Sequence, residues 1–214
     1  CLTGNSFDFT NTGDSGINIT WAWSFPGGTP ATSTDENPMG ITWSTPGPYT
    51  VQQTTAIGNC TDVSTFTIEV FEHPTVTVTT TDISCNGAAD GTATAVGSGG
   101  DGNYNYIWTG GLPGSNLTGL NAGTYDIIIT DGNGCTGTGS GSVSENPALI
   151  ITNQTKTDVS CFGFSDGSLE VVATGGCPPL NYSIPGFNNQ NGLFPGLPAN
   201  NYTVTATDCN GCTT

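Results

Sequence analysis

The sequence predicts an all-β chain of tandem antiparallel β-sandwich modules, stapled by disulfides and arranged as an elongated rod. Three observations carry this. Short runs alternate apolar and polar residues and are punctuated by Gly, Pro, Asn and Asp, the pattern of half-buried strands. No stretch of ten residues shows the three-and-four spacing of an amphipathic helix, and Gly or β-branched residues interrupt throughout. Finally, the phrase Asp131-Gly132-Asn133-Gly134-Cys135-Thr136 returns 77 positions later as Asp208-Cys209-Asn210-Gly211-Cys212-Thr213. The text leading into each copy, Leu120 to Thr130 and Leu197 to Thr207, matches as well. Such an internal repeat means that one small unit was copied.

The first unit spans residues 1–72. Its predicted strands are Phe7–Thr10, Ile17–Phe25, Tyr49–Gln53 and Phe66–Val70. Trp21, Trp23 and Phe25 alternate along one strand, so they face one side and, with Ile19, form core. His73-Pro74 then makes a short junction, because Pro ends one strand and restrains the next. The lone histidine, His73, reads as a surface residue. Residues 73–147 hold the first full repeat, with strands at 76–79, 90–96, 104–108, 125–129 and 138–143. Residues 148–214 repeat the plan at 149–152, 167–173, 180–184 and 202–206, without a counterpart to 138–143. The chain is therefore expected to continue, and its opening on Cys1 reads as a processed piece.

Composition restricts the function. Only 8 % of residues are charged, against about a quarter in an average chain, and Gly contributes 32 of 214. Lys156 is the one Lys or Arg against seventeen acids, for a formal charge of -16. Nucleic acid phosphates and anionic membranes would repel such a surface. No apolar run reaches the length of a membrane span, and no signal peptide opens the chain. Direct membrane insertion and nucleic acid partners are thus not expected.

Eight cysteines point to an oxidising, extracellular compartment. Cys85 and Cys161 lie 76 apart, and Cys135 and Cys212 lie 77 apart. If equivalent positions pair equivalently inside each repeat, the bridges are Cys85–Cys135 and Cys161–Cys212. Cys177 and Cys209 replace Asp101 and Gly132 together, which suggests a second bridge in the last unit. Cys1–Cys60 is left by elimination. A repeat of about 70 residues is marginal on hydrophobic burial alone. Closing a loop of about fifty residues contributes on the order of 4 kcal/mol by chain-entropy reasoning.

The chemical inventory is poor. His73 stands without a Ser or acid partner, no Gly-rich loop precedes a helix, and no HExxH occurs. An enzyme is not expected, and no cofactor is required. Calcium is the one cation the chain could suit, through Asp90, Asp131, Asp166 and Asp208 at recurring turns and through Asp35 and Glu36, with Asp14 nearby. The alternative is that these carboxylates accept hydrogen bonds from their own turns. Trp43, Tyr104, Tyr106 and Trp108 are the aromatic side chains to inspect for stacking on sugars. Sequons occur at Asn18, Asn59, Asn116, Asn153, Asn181 and Asn201, and their glycosylation depends on the host.

Residues 1–72 resemble a PKD domain through Trp23-Ser24-Phe25-Pro26-Gly27-Gly28, Glu36-Asn37-Pro38 and Pro46-Gly47-Pro48-Tyr49-Thr50-Val51. The two aspartates of that family's first phrase are missing here. Residues 74–214 resemble the SprB-type repeats of gliding adhesins from Bacteroidota. Cys85-Asn86-Gly87-Ala88-Ala89-Asp90-Gly91 matches the opening of that repeat, and Leu120 to Thr136 matches its close. These resemblances imply Ig-like sandwiches in a very large secreted protein, exported by type IX secretion and displayed on the cell surface. They imply a non-catalytic stalk or adhesive segment, in gliding, attachment or a surface filament. The expected partners are neighbouring modules of the same chain, with surface glycans or other surface and secretion proteins. The competing expectation is a set of carbohydrate-binding accessory modules of a secreted polysaccharide-degrading enzyme.

Overall fold

The computed structural model describes residues 1–13 and 16–214, so Asp14 lies outside the described residues. Nineteen strands and no helix occur among them, paired in antiparallel sheets as Ig-like β-sandwich-type modules in tandem. No helix among the described residues is long and apolar enough to cross a membrane. The chain divides into two units, one of residues 1–77, 95–115 and 126–139, the other of residues 78–94, 116–125 and 140–214.

In the first unit, strands Thr32–Ser33, Ile19–Ser24, Gly47–Ile57 and Cys60–Val70 form one sheet in that order. Gly28–Thr29 pairs with Thr42–Trp43, and Phe7 makes an isolated bridge to Ile41. The expected strand at 7–10 is reduced to that bridge. The alternation along Ile19–Ser24 and onward aims Trp23 and Phe25 into a core with Phe9, Ile41, Trp43, Val51 and Val70, while Trp21 packs on its margin. The same unit holds the strands Leu112–Pro113 and Tyr104–Trp108, the latter paired with Ile127–Asp131 of the strand Gly123–Asp131. Trp108, Ile127, Ile129 and Cys135 are its most buried residues there.

His73 is not a free surface side chain. Its Nε2 accepts the Thr3 N–H at 3.2 Å, which leaves Nδ1 to donate to the Thr136 carbonyl at 3.0 Å. The junction histidine thus ties the first residues of the chain to the residue after Cys135.

In the second unit, Ile150–Thr157, Gly167–Thr174 and Leu193–Leu197 form one sheet, and Phe187–Asn189, Asn181–Ile184 and Thr205–Thr207 form another. Their core is Val171, Ala173, Tyr182, Ile184, Phe194, Leu197 and Ala206. The strand expected at 202–206 begins only at Thr205. Thr213 bridges Thr207, and the Ala206 and Thr214 backbones exchange hydrogen bonds at 2.9 and 3.0 Å. Thr213 is the counterpart of Thr136, where the strand Thr136–Val143 starts.

One device recurs three times. The hydroxyls of Tyr49, Tyr125 and Tyr202 each donate to the carbonyl four residues upstream, on Thr45, Asn121 and Pro198, at 2.9, 2.9 and 3.0 Å. This is the tyrosine corner of Ig-like sandwiches, which pins the turn feeding the tyrosine's strand. Tyr125→Phe should lower unfolding free energy by about 1 kcal/mol, the net worth of one hydrogen bond. Trp108→Ala should cost about 3–5 kcal/mol. Urea unfolding followed by tryptophan fluorescence and circular dichroism checks both.

Candidate functional site

The repeated phrase folds into the same six-residue loop in both copies. The Asp131 N–H donates to the Cys135 carbonyl at 2.9 Å, and the Gly134 N–H returns to the Asp131 carbonyl at 3.0 Å. Asp208 does the same with Cys212 and Gly211 at 3.0 and 3.1 Å. Inside each loop the aspartate Oδ1 accepts two more N–H groups: Asn133 and Cys135 at 3.0 and 2.8 Å, Asn210 and Cys212 both at 2.9 Å. Both carboxylates are buried, 5 % and 7 % exposed, so these bonds offset the cost of taking polar groups out of water. Each aspartate thus holds the backbone of the cysteine that closes its repeat.

The second oxygen distinguishes the copies. Asp208 Oδ2 accepts the Cys177 N–H at 2.9 Å, and Gly176, at φ +63°, presents that amide. A Cβ on Gly176 would sit 2.7 Å from Asp208 Oδ2, so the carboxylate needs glycine there. Asp131 Oδ2 is buried without a hydrogen-bond partner. Beside it Asp101 Oδ1 accepts the Asn103 and Gly132 N–H groups at 2.8 and 3.1 Å. The same two positions in the last repeat are Cys177 and Cys209, joined by a disulfide with their Cα atoms 5.2 Å apart. The sequence exchanged a hydrogen bond for a covalent bond at one place.

The openings of the repeats are built from the other recurring aspartates. Asp90 accepts the Ser84 N–H at 2.9 Å and the Ser84 hydroxyl at 2.5 Å. Asp166 accepts the Ser160 N–H at 3.0 Å. The serine hydroxyl, followed by the serine amide, holds each carboxyl below its ordinary value. Asp208 is lowered first by the Cys177 amide, and Asp101 first by the Asn103 amide. Asp35 accepts the Ser33 hydroxyl at 3.0 Å, and its carbonyl takes the Trp23 indole N–H at 3.0 Å. Glu36 Oε1 accepts from the Asn11 amide at 3.4 Å. Each sequence-predicted calcium carboxylate except Glu36, which bonds to Asn11, is therefore bonded within or next to its own turn. No group of three or more His, Cys, Asp or Glu side chains suited to a metal occurs among the described residues.

Three expected bridges are replaced. Cys135 is completely buried against Cys1, with Cα atoms 5.4 Å apart, instead of pairing with Cys85. Cys85 pairs with Cys212 across 5.7 Å, next to an Asn210 side-chain amide that donates to the Ser84 carbonyl at 2.9 Å. Cys161 does not pair with Cys212, nor Cys1 with Cys60; Cys60 and Cys161 are free and exposed. Cys60 opens the strand Cys60–Val70 at a hairpin, facing Ile57. The equivalence of the repeats survives, but it is shifted by one module: a closing cysteine joins a cysteine of the module before it.

The aromatic candidates form no exposed platform. Trp43 and Trp108 are 2 % and 1 % exposed, and their indoles donate to the Pro26 and Gly114 carbonyls at 3.0 and 2.8 Å. Tyr104 and Tyr106 are half-buried and packed edge to face. The Tyr106 hydroxyl accepts the Gly97 N–H at 3.0 Å, as Tyr182 accepts that of Ala173 at 3.1 Å. Tyr104 donates to the Gly99 carbonyl, and burial pushes its hydroxyl up from the ordinary value, helped by Tyr106, Asp101 and Asp131. Tyr104, Tyr106 and Trp108 alternate along one strand, and the face they share looks inward.

Residues 2–61 match the PKD domain model, and residues 77–113 and 153–189 each match the SprB repeat model. The chain carries a PKD domain at residues 2–61 followed by SprB repeats at residues 77–113 and 153–189. These are non-catalytic adhesion modules. No curated protein matches the chain. Among solved structures it is similar to a C-terminal fragment of intimin in complex with the intimin-binding domain of its translocated receptor, at 15 % identity and TM-score 0.44, covering 69 % of this chain and 59 % of that one. It is also similar to the three N-terminal domains of the bacteriophage RB49 outer capsid protein Hoc, at 15 % identity and TM-score 0.41, covering 98 % and 80 %. A third is a Bacteroides ovatus glucan-utilisation protein, SGBP-B, in complex with a mixed-linkage heptasaccharide, at 14 % and 0.25, covering 97 % and 59 %. The chain thus spans 59 % of the intimin fragment's length.

Because the SprB-repeat carboxylates already carry their own hydrogen bonds, EDTA should leave the thermal midpoint unchanged; a large fall would mean that a cation is bound. The folded state holds Asp90, Asp101, Asp166 and Asp208 below their ordinary value. Acid therefore protonates the unfolded chain first, so this stability is full above the ordinary aspartate value of about 3.9 and is lost as pH falls through the lower folded values. Asp208→Asn should flatten that acid limb of the thermal midpoint, and Gly176→Ala should lower the midpoint at neutral pH.

Proposed function

We propose that this segment is a non-catalytic, load-bearing stalk of a large secreted adhesin on the cell surface, its PKD domain and SprB repeats serving as spacers that also offer weak, repeated contacts. The observation that carries this reading is the pair of overlapping long bridges, Cys1–Cys135 and Cys85–Cys212, with sequence separations of 134 and 127. By chain-entropy reasoning each contributes about 5 kcal/mol by restricting the unfolded chain. Their mechanical effect is larger. A pull on the two ends is held at Cys1–Cys135 and, in the last repeat, at Cys177–Cys209 with Cys85–Cys212 as a slightly longer parallel path, so unfolding of a module releases little length. The carbohydrate-binding alternative loses its support with the burial of Trp43 and Trp108 and the hydrogen-bonded hydroxyls of Tyr104 and Tyr106. Partners in this reading are neighbouring modules and, through strand faces, glycans or proteins of other surfaces, with tandem copies adding avidity.

Single-molecule pulling between residues 1 and 214 tests it. The shortest path runs from Cys1 to Cys135, along the chain to Cys177, across to Cys209 and on to Thr214. That leaves about 47 residues, or about 160 Å when fully stretched. The reduced chain should reach about 700–770 Å. An oxidised chain that extends as far as the reduced one would remove the mechanical role.

A further inference from the structure

We infer that Cys161 is one half of an inter-module disulfide whose other half is the closing cysteine of a further repeat carrying the Asp-x-Asn-Gly-Cys phrase. The inference rests on the bridge pattern and not on what the stalk adheres to.

Two bridges already follow one rule. Cys135 closes the first SprB repeat and joins Cys1 of the module before it; Cys212 closes the second and joins Cys85 of the module before it. Cys161 occupies in the second repeat the place that Cys85 occupies in the first. The loops around them are built alike: Ser84 N–H to Asp90 Oδ1 at 2.9 Å, Ser160 N–H to Asp166 Oδ1 at 3.0 Å. Yet Cys161 is an exposed free thiol. Beside it, where Cys85 is followed by Asn86 and Ala88, stand Phe162 and Phe164, 105 % and 55 % exposed. Asn86 is held by the Asn146 carbonyl at 2.9 Å and by Glu145, whereas the two phenylalanines offer an apolar surface next to the thiol. An apolar pair flanking a cysteine suits another protein module, and the established Cys85–Cys212 contact identifies which part of it: a closing loop whose asparagine meets the serine carbonyl before the thiol.

The chemistry balances with an external disulfide as oxidant, supplied by a thiol–disulfide oxidoreductase. One thiolate attacks that disulfide, gives a mixed disulfide and releases one thiol. The second cysteine thiolate then displaces the other sulfur, so two thiols lose two electrons and two protons and the oxidant leaves as a dithiol.

The test extends the full chain, 1–214, by a second copy of residues 138–214, with Ser165→Thr in the copy as a mass marker. Alkylation without reduction, followed by peptide mapping, reads each cysteine. In the unextended chain Cys60 and Cys161 should label to near completion. In the extended chain labelling of the original Cys161 should fall to background, with its peptide linked to Cys212 of the appended copy, while Cys60 and the appended Cys161 still label. Persistent labelling of the original Cys161 in an extension that folds and forms its own Cys177–Cys209 bridge would overturn the inference, as would a covalent dimer through Cys161. Should the extension misfold, mapping of the 1–214 chain decides. Cys85 linked to Cys212 with Cys161 free sustains the shifted pairing, and Cys161 linked to Cys212 ends it.

Discussion

The interaction on which the rest depends is a buried carboxylate gripping the amide of a cysteine. Asp131 and Asp208 each hold the N–H of Cys135 or Cys212 at 2.8 and 2.9 Å, inside a loop closed by two further backbone bonds. A disulfide needs Cα atoms within a narrow range and Cβ vectors that meet. A closing cysteine on a floppy loop would reach several partners; one whose backbone is fixed reaches one. The aspartate is therefore placed less for cation chemistry than for aiming a sulfur. This also explains why the loop phrase persists almost unchanged between the two repeats.

Around that fixed point the two SprB repeats vary in how they secure the neighbouring strand turn. In the first, Asp101 accepts the Gly132 amide. In the second, Cys177 and Cys209 are bonded directly, and the Cys209 N–H also reaches the Cys177 carbonyl at 2.9 Å. Asp208 gains the Cys177 amide, whereas Asp131 keeps one oxygen unpartnered.

Strands were legible because a half-buried sheet imposes period two on the sequence, and the runs at 104–108 and 167–173 fall where Tyr104–Trp108 and Gly167–Thr174 form. Turn carboxylates were legible as recurring Asp-Gly and Asp-x-Asn-Gly phrases. The cysteine pairing was not. Repeat equivalence fixes which cysteines play the same part, but it is blind to whether the partner lies in the same module or the adjacent one, since both arrangements repeat equally well. Only the fold decides, through the Asn210–Ser84 bond that sets Cys212 beside Cys85. The exposure of the aromatic candidates was not legible for a related reason. Period two tells which residues share a face, and it does not say whether that face is covered; Trp108 is covered and Ile107, one residue earlier, is not.

A surface of this composition constrains what else could hold the chain together. With seventeen acids against a single lysine, ion pairs contribute almost nothing. The one found among the described residues, Lys156–Asp158, has side chains 75 % and 81 % exposed and belongs to the class of surface pairs worth little. Like charges repel along the whole length, which favours solubility and extension but opposes compaction. Cohesion must then come from terms that charge does not weaken: aromatic cores, backbone ladders, carboxylates that spend their charge on amides, and covalent bridges. The bridges do what the others cannot. They close sequence separations of 134 and 127 inside each unit, where repulsion between like charges cannot loosen them.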